Sequence, residues 1–168
     1  MKTLILAGGA GSRLAPLTRN MPKPMISIGG KPTIQHVIEN LQGAGLNDFL
    51  IVVGYKKEQI MDFLGNGYDL GCRIEYIEQK KIQNIEAAIL CAKKALDEES
   101  EFLISHADIF VEPELIKRAI KQFNELEADG IISVTLVDDP SFYGIVDLDP
   151  DAKIKRIIEK PQKGTQPS

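Results

Sequence analysis

An α/β fold around a mostly parallel sheet is what the sequence predicts, and three observations predict it. Short β-branched or aliphatic runs alternate with stretches whose apolar residues recur at helical spacing. A glycine-rich turn follows the first of those runs at once. The length, 168 residues with 43% hydrophobic, suits one globular domain with a sizeable core.

Taken in order, Thr3–Leu6 is the first strand candidate. After Pro32, Ile34, Val37, Ile38 and Leu41 form an i, i+3, i+4, i+7 stripe that predicts a helix, stopped at Gly43 and Gly45. Phe49–Val53 and Arg73–Ile77 are strands, and a helix covers about Ile85 to Leu96. Phe102–Ser105 is the next strand. A helix from about Glu114 to Glu127 then carries Leu115, Ala119, Ile120, Phe123 and Leu126 on one face. Ile131–Val137, Gly144–Leu148 and Ile154–Ile158 complete the strand candidates. The last two flank the turn signal Asp149-Pro150-Asp151 and are expected to form a hairpin at the sheet edge. Lys160–Ser168 reads as a trailing loop, with 162–168 a flexible tail. The expected architecture is a Rossmann-like three-layer α/β/α sandwich, one domain spanning 1–168.

Charge is distributed unevenly. Residues 1–38 contain Lys2, Arg13, Arg19, Lys23 and Lys31 and no Asp or Glu, so this stretch carries +5. The net charge is −4, and the other 130 residues therefore carry −9. An acidic chain that is basic at one end argues against a nucleic-acid-binding face and for a site receiving a compact anion such as a nucleotide or sugar phosphate. No apolar run approaches the roughly 20 residues needed to span a bilayer, and Met1–Leu6 lacks the features of a signal peptide. A cytoplasmic protein without membrane contact is the expectation, and a homo-oligomer is left open. Cys72 and Cys91 lack CxxC or CxxH spacing, so neither a disulfide frame nor a zinc site is expected.

The chemistry concentrates in Leu6-Ala7-Gly8-Gly9-Ala10-Gly11-Ser12-Arg13-Leu14. At the end of a strand in an open parallel sheet, such glycines let the backbone approach phosphates and leave its N–H groups pointing outward. A dinucleotide fingerprint, and with it an oxidoreductase, fits poorly: Leu14 stands where the third glycine belongs, and no acid occurs before Glu39. A P-loop fits no better, because the only Gly-Lys pair is Gly30-Lys31, followed by Pro.

The run from Leu6 to Thr18, continued by Pro22-Lys23-Pro24-Met25, resembles the signature of the sugar-1-phosphate nucleotidyltransferases. The similarity extends through Gly30-Lys31-Pro32, Gly54-Tyr55, Glu78-Gln79, Asp108, Tyr143-Gly144 and Glu159-Lys160-Pro161. It implies transfer of a nucleotidyl group from an NTP to a sugar 1-phosphate, giving an NDP-sugar and pyrophosphate with Mg²⁺ as cofactor. Such chemistry asks for positioning and charge neutralisation more than proton transfer. A phosphate monoester with a second pKa near ~6 is already largely dianionic at neutral pH and attacks without a general base.

By this resemblance, Leu6, Ala7, Gly8, Gly9 and Gly11 hold the nucleotide and its phosphates. Arg13 grips the β- and γ-phosphates, Lys23 neutralises the transferring phosphate, and both count as catalytic. Gln79 reads the edge of a base, pyrimidines being favoured, with Asn84 nearby, and Asp108 binds Mg²⁺. Tyr143, Gly144 and Glu159 meet the sugar, and Lys160 its phosphate. Arg19 and Lys31 are read as general field, and His106 as a partly buried strand-end residue.

The sequence departs from the pattern in three places. Asn84-Ile85-Glu86 stands where the family has Gly-Thr-Ala. Asn84 suits a helix N-cap and Glu86 the first turn, but both put side chains where the family leaves backbone bare. Ala107 replaces a glycine. The segment that supplies a second metal-binding Asp is absent, so the chain reads as the nucleotide-binding part of a longer enzyme. A binding module that kept the fold and lost turnover is the alternative.

Overall fold

A computed structural model describes residues 1–80, 84–126 and 128–162. The chain divides into two compact units, with the boundary between Lys121 and Gln122. In order, the first unit comprises β1 (Lys2–Ala7), the two-residue strands β2 (Ser27–Ile28) and β3 (Lys31–Pro32), α1 (Thr33–Gly43), β4 (Asp48–Val53), α2 (Lys57–Leu64), β5 (Arg73–Glu78), α3 (Ile85–Leu96) and β6 (Phe102–His106). It ends within α4 (Pro113–Leu126).

Four strands form one parallel sheet in the order β5-β4-β1-β6. Successive side chains of a strand point to opposite faces, and here both faces are covered. Ile5, Ala7, Phe49, Ile51 and Val53 pack with Ile34, Val37, Ile38 and Leu41 of α1, with Ile60 and Leu64 of α2 and with Ile116 of α4. Leu4, Leu50 and Val52 turn the other way, onto Ala88, Ala92 and Leu96 of α3. The chain steps outward from β1 to β4 to β5 and then crosses back to β6 on the other side of β1. A crossover of constant hand that reverses direction must change faces, which is why α3 alone covers the second layer. The reversal also makes the C-terminal ends of β1 and β6 a topological switch point, where open α/β sheets place their ligands.

The three-layer expectation holds for this unit, and the α1 and α3 assignments match their helices at both ends. The α4 stripe is rotated: Ile116 is buried and Ile120 packs beside it, whereas Leu115 is exposed. Residues four apart share one face, and the core selected the line through Ile116 rather than the one through Leu115. Glu127, the expected last residue of that helix, and 163–168, most of the expected tail, lie outside the described residues. None of the described helices is long and apolar enough to cross a membrane.

In the second unit, β7 (Gly144–Leu148) and β8 (Ile154–Glu159) pair antiparallel as a two-stranded sheet of their own. Asp149 closes the turn by accepting the N–H groups of Asp151 and Lys153 at 2.9 and 2.8 Å, an Asx turn as the Asp-Pro-Asp signal implies. Ile131–Val137, expected as a strand, is irregular. A β-branched run becomes a strand only where a neighbour completes its hydrogen-bond ladder, and among the described residues no ladder engages this one.

Candidate functional site

A cleft of about 340 Å³ opens at the switch point. β1 delivers Leu6 and Ala7 to its floor, and the turn beyond adds Gly8, Gly9, Gly11 and Arg13. Lys23, Gln79, Asn84 and Asp108 line it as well. Ten expected site residues drawn from five parts of the chain thus share one cavity. The lining also includes Leu14, Pro24, Ile85, Ala88, His106 and Ala107, which composition or spacing does not mark as site residues. His106 is partly buried at the strand end, as expected.

Glycine is required at particular points of this wall. A Cβ on Gly8 would lie 2.9 Å from the Gln79 Oε1, and one on Gly54 would lie 2.7 Å from the Gly8 carbonyl oxygen, so the turns after β1 and β4 touch backbone to backbone. Gly11 adopts φ 61°, in the left-handed region, and a Cβ there would meet the Lys23 Cβ at 2.9 Å. Its bareness lets Lys23 pack close to the glycine-rich loop. The N–H groups of Gly9 and Ala10 donate to no described residue, leaving donors free at the head of the cleft.

The charged residues divide into two states. Arg13 is exposed and makes no hydrogen bond or ion pair among the described residues. Lys23 pairs with Asp108 across the cleft, Nζ to Oδ2. Gln79 is buried, its backbone N–H donating to the Val53 carbonyl oxygen at 2.8 Å, while its Nε2 has no partner among the described residues. A buried donor left unpaired costs about 1–3 kcal/mol, so the amide is open to an acceptor that the described residues do not provide. Glu78, one residue before, turns to Lys57 at 2.7 Å, and that ammonium holds its carboxyl below the usual carboxylate range.

Asn84 caps α3 as expected: its Oδ1 accepts the Ala87 N–H at 3.0 Å, and its Nδ2 donates to the Glu86 carboxylate at 3.1 Å. Asp108 is the one carboxylate lining the cleft, and no group of three or more His, Cys, Asp or Glu able to hold an ion occurs among the described residues. A single carboxylate fits magnesium, which binds through one or two carboxylates, water and substrate phosphates rather than a full protein cage.

Tyr143, Gly144, Glu159 and Lys160 come together within the second unit. The Lys160 N–H donates to the Tyr143 carbonyl oxygen at 2.9 Å, Gly144 stands opposite Glu159 in the ladder, and the Lys160 ammonium meets the Glu159 carboxylate at 2.9 Å. A Cβ on Gly144 would come within 3.2 Å of Glu159 Oε2.

Two further residues tie loops around the cleft. His36 on α1 shares a hydrogen bond of 2.8 Å with the Ile28 carbonyl oxygen, and its ring meets Phe110 edge-on at 5.5 Å. Tyr55 reaches the carbonyl oxygens of Thr18 and Arg19 with its hydroxyl. Such contacts join residues far apart in sequence and leave no local signal beyond the Gly54-Tyr55 pair itself.

The model of the family described as nucleotidyl transferase matches residues 2–167. The chain is 40% identical over 162 residues to the bifunctional protein GlmU of Methanocaldococcus jannaschii, covering 96% of this chain and 36% of that one. It is 34% identical over 166 residues to a mannose-1-phosphate guanyltransferase of Aspergillus fumigatus, covering 96% and 45%. Among solved structures, a Bacillus anthracis protein described as a glucose-1-phosphate thymidylyltransferase, in complex with sucrose, superimposes with a TM-score of 0.86 at 30% identity, covering 97% of this chain and 65% of that one. The chain therefore spans less than half the length of these two curated relatives.

Proposed function

We infer from one premise, that the chain belongs to the nucleotidyl transferase family, a reaction in which an NTP and a sugar 1-phosphate give an NDP-sugar and pyrophosphate. The observation that carries this reading is the convergence of Arg13, Lys23, Gln79 and Asp108, far apart in sequence, on one cleft at the end of β1. That cleft offers free backbone donors and cations to a polyphosphate.

In the proposed reaction a phosphate oxygen of the sugar 1-phosphate bonds to the α-phosphorus of the NTP, and the bond from that phosphorus to the β-bridging oxygen breaks. The electron pair leaves with pyrophosphate. Gly8, Gly9 and Gly11 bring backbone close to the triphosphate. Arg13, free of any partner among the described residues, meets the β- and γ-phosphates, where negative charge accumulates as pyrophosphate departs. Lys23 moves from Asp108 to the transferring phosphate, and the unpaired Gln79 amide donates to a carbonyl on the base. Asp108 and the phosphates would hold Mg²⁺, which supplies charge neutralisation and alignment of the triphosphate. Tyr143, Gly144, Glu159 and Lys160 are assigned to the sugar 1-phosphate.

A second reading, a module that binds nucleotide or nucleotide sugar without turnover, is favoured by Asn84-Ile85-Glu86, of which Asn84 and Ile85 put side chains on the cleft wall. The two separate in one experiment. The chain is incubated with Mg²⁺, each of the four NTPs and a panel of sugar 1-phosphates while pyrophosphate is measured. Release with one pair supports transfer. NTP binding by calorimetry without release supports the module, and no binding of any NTP removes both.

A further inference from the structure

We propose that Tyr55 is a positioning residue that fixes the spread of the phosphate loop, and so the aim of Arg13, by fastening both of the loop's ends to the turn after β4. The inference rests on the reading of that loop as the triphosphate site. The backbone N–H of Tyr55 donates to the Gly8 carbonyl oxygen at 3.1 Å, at the loop's entry. Its hydroxyl donates to the carbonyl oxygens of Arg19, at 2.8 Å, and Thr18, at 3.1 Å, where the loop leaves. The single hydroxyl proton is shared between the two, the shorter contact carrying more of it.

Three contacts make Tyr55 a clasp rather than a passing neighbour. Gly54 packs backbone to backbone against Gly8, where an added Cβ would lie 2.7 Å from the Gly8 carbonyl oxygen, so the turn that carries Tyr55 rests directly on the loop's entry. The Lys56 ammonium lies 5.5 Å from the centre of the Tyr55 ring and holds it from one side. At the exit, Thr18 is buried and its Oγ1 donates to the Gly11 carbonyl oxygen at 2.9 Å, so the position that Tyr55 fixes is passed directly to the middle of the loop. Arg13 itself has no partner among the described residues, and its placement depends wholly on the backbone that carries it.

Tyr55→Phe removes the hydroxyl and keeps the ring, with Tyr55→Leu as a companion that also removes the ring. In Tyr55→Phe, circular dichroism and the unfolding midpoint should stay close to those of the parent. Amide hydrogen exchange over residues 10–20 should accelerate at least tenfold. With Mg²⁺ and the preferred NTP and sugar 1-phosphate, kcat should fall about tenfold or more, the scale expected when a charged group is displaced by a fraction of an ångström, while KM for the sugar 1-phosphate stays unchanged. Arg13→Ala should then cost less in the Tyr55→Phe background than in the parent, since both changes remove the same interaction. Unaltered exchange over 10–20 in Tyr55→Phe overturns the proposal, as does a full additive cost of Arg13→Ala in that background. If the parent neither binds nor turns over any NTP, the proposed function fails, and with it the role assigned to Tyr55 in aiming Arg13. Exchange over 10–20 would still report whether the clasp exists.

Discussion

At the scale of single residues the cleft holds three groups in three different electrostatic conditions. Arg13 is unpartnered, so its removal should subtract charge stabilisation without disturbing structure. Arg13→Ala is expected to lower kcat by a few hundredfold, about 3–4 kcal/mol of barrier, with an unchanged unfolding midpoint. Pyrophosphate release checks the first and calorimetry the second. Lys23 is already paired, and its charge is partly spent on Asp108. Asp108→Asn should release it, so that the variant binds NTP roughly two- to fivefold more tightly than the parent in EDTA, the scale of a partly exposed ion pair, while turnover collapses with Mg²⁺. Weaker binding in EDTA would show that Lys23 does not reach the phosphates. Gln79 carries the stored cost of an unpaired buried amide. Gln79→Met should stabilise the fold by about 1 kcal/mol and erase discrimination among bases, a trade of stability against function visible in one variant.

At the scale of elements, the sequence is most legible where packing and capping agree with local preference. The Ile34-Val37-Ile38-Leu41 stripe and the Asn84 cap identify their helices without help from elsewhere. Asn84→Ala should cost about 1 kcal/mol and lower the unfolding midpoint by roughly 2–4 °C, since the Ala87 N–H loses its acceptor. Where two apolar residues compete for one face, pattern alone is insufficient. Leu115 and Ile116 are adjacent and similar in hydrophobicity, and only the direction from which the sheet approaches α4 decides which is buried. Ile131–Val137 shows the other limit, because β-propensity is a property of a residue and pairing is a property of two segments. The site divides in the same way. The glycines, Arg13, Lys23 and Asp108 announce themselves by type and spacing, whereas the Lys23–Asp108 pair, the orphan amide of Gln79 and the reach of Tyr55 exist only once distant segments are folded together.

At the scale of the molecule, the unequal charge of the chain becomes a spatial fact. Within the acid-free first 38 residues, Lys31 is neutralised by Glu39 at 2.8 Å and Lys23 is paired with Asp108, so Arg13 and the free donors near Gly9 carry the attractive field at the cleft. Long-range attraction of a polyanion into such a cleft is screened by salt. KM for the NTP should rise severalfold between 50 and 500 mM NaCl as the screening length falls toward about 4 Å, with kcat much less affected. A KM indifferent to salt would mean that short-range contacts alone govern binding.

The central place of β1 has a consequence for the order in which the protein is made. β1 precedes both of its ladder partners in the chain, Phe49–Val53 on one side and Phe102–His106 on the other. Until both have been synthesised, the strand that anchors the glycine-rich loop stays unpaired along at least one edge, and Leu4 and Ile5 lack the sheet that buries them. Contacts so distant in sequence form slowly, and exposed strand edges invite association with other nascent chains. The cleft at the end of β1 is therefore encoded well before the strand that completes it, and is assembled only once Phe102–His106 has emerged.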